Sequence, residues 1–143
     1  MDNIEENNLE VSESVRVSLD IMVYWSKFLA ILGYIGVALM VLLALRMFAM
    51  DIPSYGYYYG PSMKLIGFIY LIFAVLYYFP VSYLYKFSTE TRYALNSNSQ
   101  SSLNDGLSNL ASNFKFIGVM TVVVMSLYAL MFIIGLFGFL FFS

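Results

Sequence analysis

The chain has 143 residues, 61% of them hydrophobic and only 11% charged, a net charge of −2, and neither cysteine nor histidine. A soluble domain carries about 25% charged residues, and so small a charged fraction cannot cover this much apolar surface in water. Disulfides, thiolate chemistry, imidazole acid–base work and most zinc or haem ligation are excluded with Cys and His, and nothing is basic enough to hold nucleic acid.

In chain order, residues 1–10 form an acidic, Asn-rich, aperiodic head that reads as disordered. Six of the nine acids (Asp2, Glu5, Glu6, Glu10, Glu13, Asp20) fall in the first 20 residues, opposed there only by Arg16. That is the reverse of a secretory signal peptide, so the first span is expected to act as its own uncleaved insertion signal. From Val11 a helical period begins, with Val11, Val15, Leu19 and Met22 on one stripe and Val17, Ile21, Tyr24 and Phe28 on a second. Residues 11–27 are read as an amphipathic helix that runs, past the interface anchors Trp25 and Lys27, into a first span over 28–50.

Three uncharged stretches are long enough to cross a bilayer: Phe28–Leu45 (18 residues), Leu65–Tyr85 (21) and Phe116–Ser143 (28). A spanning helix needs about 20 apolar residues, because a hydrocarbon core of about 30 Å is crossed at about 1.5 Å per residue. Residues 51–64 read as a Tyr-rich connecting loop with paired Pro and Gly breakers. The second span covers 65–85. Pro80 inside it cannot donate to the carbonyl of Leu76, so a kink or a local loosening is expected there.

Residues 86–115 are expected to make a helical hairpin standing out of the membrane, its tip the polar run from Asn96 to Ser102. Ser102, with Asp105 three residues on, matches an N-terminal cap. Leu103, Leu107, Leu110 and Phe114 form the apolar stripe by which the hairpin would pack, and Gly106 weakens that helix by about 1 kcal/mol relative to Ala. The third span, 116–142, contains 17 Val, Ile, Leu or Phe residues. It is longer than the core is thick, so tilting or an interfacial end near Gly135 and Gly138 is expected.

Three spans put the N-terminus and the 86–115 hairpin on one side, with Arg16, Lys27, Lys86, Arg92 and Lys115, against Arg46 and Lys64 on the other. The positive-inside rule then predicts a cytoplasmic N-terminus and hairpin, and an outer Tyr loop and C-terminus.

Candidate chemistry is sparse. Arg46 lies within about one turn of the predicted outer boundary, where its stem can snorkel to the headgroups. Tyr55, Tyr57, Tyr58 and Tyr59 read as an interfacial aromatic belt, with a binding surface as the alternative. Met47, Met50 and Met63 converge on the same side; thioethers suit Cu(I), but their number is ordinary for so apolar a chain, and no metal or cofactor is predicted. Asp51, Glu90 and Asp105 have no spacing that forces carboxylates together, and no serine has a recognisable base, so no catalytic residue is assigned. Span interiors offer only Ser82, Thr121, Ser126, tyrosines and glycines to a transport pathway, which one copy could not line. Ala30, Gly33 and Gly36 make a small-residue face where another helix backbone can approach closely.

Trp25-Ser-Lys-Phe-Leu-Ala-Ile-Leu-Gly33 opens the first span, and Tyr77-Tyr-Phe-Pro-Val-Ser-Tyr-Leu-Tyr-Lys-Phe-Ser88 is followed by Ala94-Leu-Asn96 and Leu110-Ala-Ser-Asn-Phe-Lys-Phe-Ile-Gly118. This pattern resembles a domain-of-unknown-function family of small membrane proteins common in Bacteroides-type bacteria, over roughly Trp25 to the C-terminus. The resemblance implies a helical inner-membrane protein and supplies no catalytic residue. The expected protein is an all-α membrane protein of three transmembrane helices with amphipathic cytoplasmic extensions forming a small bundle. It is read as a non-enzymatic scaffold or accessory subunit, with a component of an oligomeric channel or transporter as the alternative. Its partners are the lipid bilayer and either copies of itself or a larger membrane complex.

Overall fold

The computed structural model describes residues 11–50 and 62–142, with side chains as far as Gly138. The acidic head, Asp51 and the tyrosines at 55, 57, 58 and 59 lie outside the described residues. Among those described the chain is all helical: α1 (Glu13–Ala49), α2 (Met63–Ser97) and α3 (Gln100–Phe142). At 37, 35 and 43 residues they measure about 56, 53 and 65 Å. Each is long and apolar enough to cross a membrane. The polar thirds of all three helices meet at one end of the bundle, beside the turn between α2 and α3.

That turn is far tighter than the seven-residue polar run suggested. Asn98 takes the left-handed conformation (φ 50°, ψ 40°) that Asn tolerates at a helix C-terminus, and its N–H and that of Ser99 both reach the carbonyl of Ala94. The Ser99 hydroxyl then accepts the N–H of Ser102 at 3.3 Å, so Ser99, and not Ser102, caps α3. Asn96, Ser97, Gln100 and Ser101 are helical. Small polar residues on an exposed helix surface had looked like a break. At the far end α3 continues through Gly135 and Gly138, and α2 continues through Pro80 without interruption.

α1 and α2 pack antiparallel along nearly their whole length. On α2 every seventh residue from Gly67 is buried: Gly67, Ala74, Val81, Ser88 and Leu95. On α1 the inward positions step alternately by four and three, through Leu19, Val23, Ser26, Ala30 and Gly33 and on to Ala44. This is heptad spacing, which keeps one seam facing a partner helix at a shallow crossing angle. Most seam residues are small. In lipid, apolar side chains gain little by leaving the solvent, so close backbone approach and dispersion must hold helices together. A Cβ built on Gly67 would lie 3.2 Å from both Ala44 O and Met47 Cβ.

The seam begins with Arg16, whose guanidinium donates to Leu95 O at 2.6 Å and to Asn98 Oδ1 at 3.4 Å. A cation from α1 thus closes the carbonyl end of α2, where the helix dipole favours positive charge. Just inside, Leu19, Ala94, Leu95 and Leu103 form a small core drawn from all three helices, with Val11 packed against it. Of the first apolar stripe read in the sequence, Val15 and Met22 stay exposed; the true seam lies beside it.

α3 uses another face of α2, and only at the polar end. Its inward residues are Leu103, Gly106, Leu110 and Asn113, again in steps of three and four. This line shares Leu103 and Leu110 with the expected stripe but replaces Leu107, 41% exposed, and Phe114, 65% exposed. The physical reason is distance. A Cβ on Gly106 would collide with Thr91 Oγ1 and lie 3.1 Å from Thr91 N, so the glycine that weakens the isolated helix is what lets the two helices touch. Asn109 Nδ2 reinforces the contact by donating to Glu90 Oε2 at 2.6 Å.

Candidate functional site

Beyond this contact α3 parts from α2. α1 and α3 make no close backbone approach to one another among the described residues, so a gap opens between them over the face of α2. The gap is a groove of about 800 Å³. Its floor is Phe73, Pro80 and Leu84, one wall carries Leu32 and Gly36, and the other runs from Asn113 to Met125. The α2 face beside the gap presents Leu84, Pro80, Tyr77 and Phe73.

The small-residue face Ala30, Gly33, Gly36 is divided by this arrangement. Ala30 is fully buried, and a Cβ on Gly33 would lie 2.5 Å from Val81 Cγ2, so both belong to the α1–α2 seam. Gly36 has nothing within 4 Å of its missing Cβ and opens into the groove. Aromatic rings brace the seam and the groove mouth: Tyr34 lies against Tyr78 and Tyr85 with centroids 6.0 and 5.9 Å apart, and Phe79 meets Phe116 at 5.8 Å.

The groove is apolar except at its polar-end mouth. There Asn113 is 6% exposed, and its Oδ1 is enclosed with no hydrogen-bond partner. Thr121, also on the wall, returns its hydroxyl to Ile117 O at 2.8 Å, and Ser126 does the same to Val122 O at 2.8 Å. Both hydroxyls are therefore satisfied within α3. Asn113 was not singled out in the sequence. The signal was present, since it continues the inward series Leu103, Gly106, Leu110, and a polar residue on such a series is turned away from water.

The other candidates stay apart from the groove. Arg46 is exposed near the end of α1, Met47 joins the seam at Gly67, and Met50 is exposed. Glu90 is engaged by Asn109, which also donates to the backbone carbonyl of Asp105 at 3.0 Å. Among the described residues no three of His, Cys, Asp and Glu cluster as a metal site. No protein-family profile, curated protein or solved structure compared with the chain matches it.

Proposed function

We propose that this multi-pass helical protein is a non-enzymatic scaffold or accessory subunit that docks an apolar transmembrane helix of another subunit onto the membrane half of α3. The observation that carries this reading is the contrast within one helix: α3 is anchored by Leu103 and Gly106, yet every residue from Thr121 to Leu136 is exposed. With the Thr121 and Ser126 hydroxyls turned back on their own helix, that half presents apolar surface all round, which favours helix docking over the lining of a transport pathway. The resemblance to small Bacteroides-type membrane proteins supports a bacterial inner-membrane location. Five cationic residues against two support a cytoplasmic N-terminus and turn.

Because the chain has no native cysteine, single-cysteine variants test both parts in native membranes. A thiol-anchored photoreactive crosslinker at Val122→Cys, on the flank turned away from the groove, should yield one protein adduct of constant mass, either a dimer or a complex with one other subunit. Adducts with lipid alone would sink the docking reading. Ser97→Cys should resist an impermeant thiol reagent in intact cells, and labelling from outside reverses the orientation.

A further inference from the structure

We infer that the groove between α1 and α3 binds a single-chain amphiphile carrying a hydrogen-bond-donating head, a hydroxyl or an amide, taken from the leaflet next to the α2–α3 turn. The head sits on Asn113 and the tail runs beside Gly36 and Pro80 toward Met125.

An amide oxygen enclosed in apolar surroundings with no donor is costly, and buried polar groups in folded proteins are nearly always paired. Asn113 Oδ1 is enclosed and unpaired at the mouth of an otherwise apolar groove. A donor brought by a ligand completes it, whereas a plain acyl chain leaves it unpaired. Because the side-chain amide has a donor as well as an acceptor, a hydroxyl head can satisfy both groups.

Depth gives the same answer. Asn113 lies two residues from Lys115 and faces the level of Lys86, the cations that close the second and open the third span. From there to Met125 is twelve residues of α3, about 18 Å, more than half of a hydrocarbon core of about 30 Å. The polar mouth is therefore at headgroup level and the apolar trough runs inward, the orientation an amphiphile already has in a leaflet. The volume of about 800 Å³ falls within the range of small-molecule sites, about 300–1,000 Å³. The groove occupies the flank of α3 that carries Asn113, Met120 and Val124, and the opposite flank, centred on Val122 and Ile133, is left for another subunit.

The test uses the full chain in phosphatidylcholine nanodiscs with two photoreactive probes, a diazirine-bearing C16 alcohol and its methyl ether, which lacks the donor. The alcohol should label peptides carrying Gly36 and Met120, and the ether should label them about fivefold less, as the loss of one enclosed hydrogen bond implies. Asn113→Leu, close in volume and free of the orphan amide, should bring alcohol labelling down to the ether level with helicity unchanged. Gly36→Phe should abolish labelling by both probes, because its ring fills the trough. Equal labelling by the two probes, or alcohol labelling unmoved by Asn113→Leu, overturns the inference. So does labelling that survives Gly36→Phe, or a second copy of the chain crosslinked across the groove in place of the probe.

Discussion

α1 and α3 are alike in hydropathy and unlike in how they treat α2. α1 follows it from Arg16 under Leu95 to Ala44 beside Gly67, while α3, among the described residues, follows it only from Leu103 to about Phe116 and then leaves. The difference is in how regularly small residues recur. Along the α1 seam small residues recur at heptad spacing on both helices, so the backbones stay close. The α3 face of α2 is irregular: Ala94 and Thr91 are small, the fully buried Phe87 follows them, and Leu84, Pro80 and Phe73 line the gap beyond. Apolarity places a helix in the membrane; shape decides what it touches there.

Substitutions can break this contrast at chosen points. The largest effect is expected at Gly106. Gly106→Leu gains about 1 kcal/mol in helix propensity but forces a side chain onto Thr91, at a cost of about 3 kcal/mol. Proteolysis at the α2–α3 turn in detergent should rise sharply. Gly118→Leu, on the free half of the same helix with nothing within 4 Å of its missing Cβ, should leave proteolysis unchanged. Equal sensitivity at the two glycines would mean that α3 packs along its whole length.

A second pair sharpens the α1 side. Gly33→Leu meets Val81 and should lower thermal stability in detergent by about 2 kcal/mol, while Gly36→Leu enters the groove and should leave stability unchanged. Loss of stability at both positions would place Gly36 in the seam. The smallest effect is at the seam's beginning. Arg16→Leu removes the donor to Leu95 O and should cost about 1 kcal/mol, seen as faster amide exchange confined to the last turn of α2. Unchanged exchange would mean that water replaces the guanidinium at no cost.

The three spans and the shared polar end were legible because they follow from runs of hydropathy and from where charges interrupt them. The seam was not, because glycine, alanine and serine carry little hydropathic signal. Its trace was the seven-residue repeat Gly67, Ala74, Val81, Ser88, Leu95, which appears only when size is read in place of polarity. The same bias moved the α3 stripe to Leu107 and Phe114, since two large apolar residues outscore a glycine and an asparagine one position earlier. It also hid Asn113, the polar side chain at the groove mouth. The Asn98–Ser99 turn was misread for a different reason: serine and asparagine favour both caps and coil, and only the hydrogen bonds to Ala94 O and Ser99 Oγ decide between them.

α3 is unbroken for 43 residues, about 65 Å, and among the described residues its packing on α2 is concentrated near one end. Mechanically it is a cantilever, clamped from Leu103 to about Asn113 and projecting beyond. A sideways load on its membrane arm therefore falls on the short clamped stretch that carries Leu103, Gly106 and the Asn109–Glu90 hydrogen bond.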